Sequence, residues 1–294
     1  MESFDLGHVS TSSFVLMGIG AFLSIVVPVV IAIVWCRKKK EPFTTVLIGA
    51  AVFMLFAVIL EKTIQNALII PGQMGLPETS VSAFINARPF LLAFLFGLFP
   101  GVFDETGRLI AFKSVLRKRT QRETSITYGI GHGGVEVVFV IGITLVAYIA
   151  LGFAINSGEA MKEFEEAFKE MDQPWMIEQL TGQMKTITGF DLKSLCTILI
   201  ERVFAVLFHI GASILVFYAC RDKKKFWLYP LAIVIHTLVD GIAALQITGA
   251  VNIPSWAIET VFILASAATF LGAYLLLYRK DASISVPEKI SENE

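Results

Sequence analysis

The sequence predicts an all-α, polytopic membrane protein with seven transmembrane helices around a four-helix core, helices three to six. Three observations predict it. Of 294 residues, 55% are hydrophobic and 17% charged, with a mean hydropathy of +0.71; a soluble domain is about 45–50% apolar and about 25% charged. The apolar residues gather into seven stretches, each close to the roughly 20 residues that cross a bilayer as helix. The segments joining them alternate between basic and neutral or acidic.

In order, the stretches run over Ser12–Trp35, Phe43–Leu60, Pro89–Phe112, Thr127–Ile155, Ser194–Cys220, Phe226–Ile247 and Ile253–Tyr278. Helices are required because an open sheet leaves its edges unsatisfied in lipid, and the alternation of barrel strands is absent. Glu2 and Asp5 stand where a cleavable signal would carry basic residues, so the first stretch is expected to be retained. Arg37–Lys40 follows the first stretch and Lys113–Arg122, with five basic residues, the third; Arg221–Lys225 follows the fifth and Arg279–Lys280 the seventh. The positive-inside rule then places the N-terminus outside and the C-terminus in the cytoplasm, in a plasma membrane crossed several times.

The chain reads as a single integral membrane domain, 1–294, with its candidate core over 89–247. Residues 156–193 form an extracytoplasmic amphipathic loop, where Met161, Phe164, Phe168 and Met171 recur at helical spacing among Glu163, Glu165, Glu166 and Glu170. The tail 281–294 is polar and expected to be disordered. A net charge of −1 excludes a global basic field for nucleic acid. Cys36, Cys196 and Cys220 have neither disulfide-framework nor metal-ligand spacing.

Ionisable side chains inside the spans are the informative residues, since each costs roughly 2.5–3.5 kcal/mol at the bilayer centre. The third span carries Asp104, Glu105 and Arg108, and the fourth His132 and Glu136. The fifth carries Glu201, Arg202 and His209, and the sixth His236 and Asp240. At 1.5 Å per residue, Glu105, His132, Glu136, His209 and His236 all lie roughly 7–17 Å from the basic end of their helices. Spacings of three or four put Glu105 with Arg108, His132 with Glu136, and His236 with Asp240 on common faces. Each pair taken singly also has a structural reading: an interfacial ion pair, close packing at the glycines around His132, a His209–Ser213 hydrogen bond, a buried His236–Asp240 pair. Glu201 and Arg202 read as structural, and Glu61, Lys62 and Glu259 as helix-end residues. Four helices with such groups at one depth point to a shared cavity.

Asp104-Glu105-Thr-Gly-Arg108, Gly129-Ile-Gly-His132-Gly-Gly-Val-Glu136 and His236-Thr-Leu-Val-Asp240 resemble the motifs of the YhfC family of bacterial membrane peptidases. More distantly, they are similar to the glutamic intramembrane proteases, including PrsW and the CAAX- and bacteriocin-processing enzymes. Those families carry EExxxR or EExxK, then FxxxH or FxxxE, then HxxxN or HxxxD. Here the first motif reads DExxR, Tyr128 replaces the Phe of the second, and His209 has no motif partner. The resemblance implies an intramembrane protease.

Amide hydrolysis needs an activated water, an oxyanion contact and a proton donor for the leaving amine, and no Ser or Cys nucleophile signature is present. The expectation is therefore a glutamic-type endopeptidase without a cofactor. Together with the resemblance this makes Glu105 the expected general base for water, with His132 sharing that proton or orienting the water, and Arg108 holding the Glu105 carboxylate. Glu136 would tune His132 or act as a second acid, while His236 and Asp240 would serve the oxyanion and His209 and Asp104 would support. The rival chemistry is a zinc protease drawing ligands from His132, Glu136, His209, His236 and Asp240, and the non-enzymatic rival is a proton-coupled transporter. Expected partners are membrane lipid and a membrane protein or membrane-associated peptide as substrate, not nucleic acid.

Overall fold

The computed structural model describes residues 7–160 and 174–281. Among them every regular element is helical: α1 Thr11–Lys39, α2 Thr44–Ile69, α3 Ser80–Asn86, α4 Pro89–Lys113, α5 Glu123–Ser157, α6 Pro174–Thr188, α7 Leu192–Arg221, α8 Leu228–Ile247 and α9 Ser255–Tyr278. Seven of them, all but α3 and α6, are long and apolar enough to cross a membrane. Their outward faces expose Phe22, Leu47, Phe90, Phe153 and Leu264, large apolar groups that water would not tolerate as a continuous belt.

Local chemistry sets the helix ends. Ser10 caps α1 by accepting from the Ser13 amide, and Asp191 caps α7 by accepting from the Ser194 amide, each satisfying one of the amides that a helix start leaves free. Pro89 opens α4 at a position where no amide donor is needed. Gly158, with φ of 81°, closes α5 in the left-handed conformation.

The second span is longer than expected, reaching Ile69 rather than Leu60. Glu61 is buried inside this helix and not at its end, because Lys62 Nζ donates to Glu61 Oε1 at 2.9 Å and to Gln65 Oε1 at 3.3 Å. The polar turn thus satisfies itself and the helix continues. Met54–Glu61 is wound as π-helix, as are Val138–Ile143 in α5 and Tyr274–Tyr278 in α9. The expected amphipathic helix over Met161, Phe164, Phe168 and Met171 lies outside the described residues, as does the tail after Asp281. α6, which follows the former, buries Met184 and Ile187 against Val9 and Leu195.

The basic segments meet at one end of the bundle. Arg119 donates to Thr44 Oγ1 at 2.7 Å and also to Thr45, and Arg122 Nη1 donates to the carbonyls of Tyr278 and Asp281. An apolar floor of Cys36, Phe112, Leu116, Ile126, Phe217 and Leu228 closes this end. The most extensive helix contacts are α4 with α8, α2 with α5, and α7 with both α5 and α9.

Candidate functional site

Glycines bring the four core helices to backbone contact just above that floor. On α4, a Cβ at Gly101 would lie 2.5 Å from Thr237 Oγ1 and 2.9 Å from the Ile233 carbonyl of α8. On α5, a Cβ at Gly131 would overlap the Val46 carbonyl of α2, and one at Gly129 would sit 2.6 Å from Ile210 Cα of α7. Small residues permit such approach where no hydrophobic force joins helices in lipid. The glycines around His132 therefore do carry close packing, and that packing draws His132 into the centre of the bundle.

There the polar side chains form one connected network. Glu105, Arg108 and His132 are 0% exposed, and Asp104, His209 and His236 are also buried. His132 Nε2 lies 3.0 Å from Asp104 Oδ2. Arg108 Nη1 donates to Glu105 Oε1 at 2.5 Å, and Arg108 Nη2 donates to His209 Nδ1 at 2.6 Å. The same Nη2 is 3.9 Å from Asp104 Oδ2. His236 Nδ1 meets Glu105 Oε1 at 2.8 Å, while its Nε2 faces Asp240 Oδ2 at 3.4 Å. His209 Nε2 contacts the Glu136 carboxylate, whose other oxygen accepts from Arg202 Nη1 at 3.2 Å. Phe208 stands edge-on to His209 and His236, with ring centroids at 5.3 and 4.9 Å. All the sequence-derived candidates thus join one cluster, in direct contact rather than spaced around an open cavity.

Two expected pairings differ. His132 pairs with Asp104, not Glu105, because neighbours on a helix point about 100° apart: Asp104 turns to α5 and Glu105 to α8. Glu136 does not tune His132; it engages His209 and Arg202 of α7. Arg202, read as structural, and His209, lacking a motif partner, are accordingly members of the network. Interhelical contact is the only signal for Arg202, whereas His209 already stood among the supporting residues. Asp240 sits at the edge, its side chain 38% exposed, which leaves His236 a link towards the surface of the bundle.

The proton positions follow from the partners. An arginine donates only, so His209 Nδ1 accepts and its proton is on Nε2, facing Glu136. Asp104 accepts from His132 Nε2–H, which leaves His132 Nδ1 as a bare lone pair. Buried side-chain atoms without a hydrogen-bond partner among the described residues include His132 Nδ1, Asp104 Oδ1 and Glu105 Oε2, with Arg108 Nε beside them and others, such as Ser24 Oγ and Ser266 Oγ, elsewhere in the bundle. Unsatisfied buried polar atoms are rare and mark strain, chemistry or a missing ligand. Asp104, His132 and His209 also each offer a ligand atom within 4.8 Å of one another. Two nitrogens and a carboxylate oxygen are the donor set of a catalytic zinc site, which keeps a further position open. As a donor set these residues fit a metal, with His209 Nδ1 held by Arg108.

The family model of the YhfC intramembrane metalloproteases matches residues 23–262. The uncharacterized membrane protein YhfC of Bacillus subtilis (strain 168) is 24% identical over 259 residues, spanning 88% of this chain and 94% of that protein. No solved structure matches the chain.

Proposed function

The chain belongs to the YhfC intramembrane metalloprotease family, and from that premise we propose that it hydrolyses peptide bonds of membrane proteins or membrane-associated peptides at the buried α4–α5–α7–α8 cluster, with a metal ion of the zinc class. The observation that carries the reading is the converging trio Asp104, His132 and His209, with bare atoms on two of its members. These three residues would hold the ion, which when bound supplies Lewis-acid polarisation and an acidified water. The expectation of a cofactor-free site gives way to this one, because the trio and the family description both favour a metal.

The remaining groups act on protons and position. Glu105 Oε1 is held by Arg108 and His236, which fixes the carboxylate and leaves Oε2 as the basic oxygen for a water. His236 has a carboxylate at each ring nitrogen. It can therefore hold a proton at Nδ1 or Nε2 and deliver it to the leaving amine, with Asp240 linking it outward. Glu136 and Arg202 orient His209 from its far side. Burial of the cluster keeps bulk water out, so each of these contacts acts in a low-dielectric setting. Four basic segments at one end of the bundle support a cytoplasmic position for that end and hence for the site.

One observation favours a second reading, metal-free hydrolysis by Glu105. Arg108 Nη2 already occupies His209 Nδ1 and supplies a positive charge among the carboxylates. Cleavage of membrane-tethered peptides by the purified protein separates the two. The metal reading expects activity to vanish on chelation and return with added zinc, and it is overturned by chelator-resistant turnover that still depends on Glu105.

A further inference from the structure

We propose that Arg108 is a built-in competing cation: it donates to His209 and neighbours Asp104, and it must release His209 for a metal to be fully ligated. This rests on the ligand trio of the preceding reading. A guanidinium is always charged and has no lone pair, so its contact with His209 Nδ1 consumes the lone pair that a metal would use. The other ring nitrogen of His209 carries the proton and contacts Glu136. His209 therefore has no free donor atom as it stands, in contrast to His132 and Asp104. Arg108 also lies 3.9 Å from Asp104 Oδ2, a second group of the trio.

Electrostatics gives the arrangement its purpose. Asp104 and Glu105 are adjacent buried carboxylates, and buried charges persist only when paired. The guanidinium, itself 0% exposed, neutralises them in this arrangement. A dication arriving at the same carboxylate and imidazole meets this charge, so metal and guanidinium weaken one another by the same factor. Arg108 can give up His209 and stay paired, because Nη1 holds Glu105 independently, three residues away on α4. In the loaded protein it then remains a positioning residue for the Glu105 carboxylate.

The test is zinc titration of chelator-stripped protein in detergent, competed against a chromophoric chelator, for wild type, Arg108→Ala and Arg108→Lys. Arg108→Ala should bind zinc about tenfold more tightly or better, within the range of ordinary two-site couplings. Arg108→Lys, which keeps a charge near Glu105 but loses the fork that reaches His209, should fall between. Nitrogen-15 spectra of the histidine side chains, only four in the chain, read the wild type directly. Stripped protein should show His209 protonated at Nε2, and zinc should convert one of its nitrogens to a metal-bound signal. If Arg108→Ala does not fold, the lysine variant and these spectra decide. Equal zinc affinity in all three proteins, or zinc binding that leaves the His209 signals unchanged, overturns the inference while the metal reading stands. No zinc binding by any of the three overturns both.

Discussion

The half of the bundle at the basic end and the half at the far end are built from the same helices on opposite rules. Towards the basic end, α5 and α7 approach through Gly129, Gly133 and Ile210 and enclose His132 and His209. At the far end the same two helices contribute Leu145, Ile155 and Leu195, which pack with Met17 and Ala21 of α1 into an apolar cluster. The apolar cluster holds the helices together without polar requirements. The polar half gains contact only by dispensing with side chains at the glycines, and its buried charges must each find a partner. Stability and chemistry are thereby separated along one pair of helices.

Paired substitutions can break this separation. Glu105→Gln should lower hydrolysis by about 10²–10⁴-fold, the range of a general base, in a protein that still folds, since the amide preserves shape and Asp104 still faces Arg108. Leu145→Ala at the far end should cost about 2–5 kcal/mol of stability, as buried leucine truncations do, while turnover per folded molecule stays unchanged. If Glu105→Gln unfolds the protein, or Leu145→Ala abolishes turnover in folded molecules, the two halves are not separable in this way.

Smaller effects sharpen the comparison. Gly131→Ala drives a methyl into the Val46 carbonyl and should destabilise by about 1–3 kcal/mol, an overpacking cost, and reduce activity by displacing His132. Gly18→Ala, with nothing within 4 Å of the added Cβ, should instead stabilise by roughly 0.5–1 kcal/mol through helix propensity. Thermal unfolding in detergent compares the two. The smallest effect belongs to Asp191, where hydrogen bonds from the Ser194 amide and hydroxyl, at 2.8 and 2.7 Å, hold the carboxyl below its ordinary range. A carboxylate whose folded pKa is depressed stabilises above its unfolded value and loses that contribution as pH falls through the folded one. Wild type should therefore lose slightly more stability on acidification below about pH 4 than Asp191→Ala, and parallel pH curves would remove the cap from the account.

Much of the architecture was legible because it depends on composition and period. Hydropathy located all seven spans, and helical spacing placed Glu105 with Arg108 and His236 with Asp240. The lengths of α2 and its buried Glu61 were not legible, since the Lys62 and Gln65 contacts that carry the helix onward are formed only once it is folded. At the site, the sequence resolves which residues share a stripe but not which neighbouring helix the stripe meets. That rotation decides that Asp104 rather than Glu105 reaches His132, and it turns His209 into the junction between Arg108 and Glu136. The same missing rotation hid that Asp104 joins His132 and His209, already candidate zinc ligands, in the proposed trio, whose members come from three helices and have no common spacing.

Bound metal in the purified protein tests the central claim most directly. Elemental analysis of chains isolated without chelator should find close to one zinc-class ion per chain, and Asp104→Asn combined with His132→Ala should abolish it while the helical content persists. Metal-free wild-type protein that cleaves peptides at its full rate, or a double variant that keeps its ion, would contradict the account.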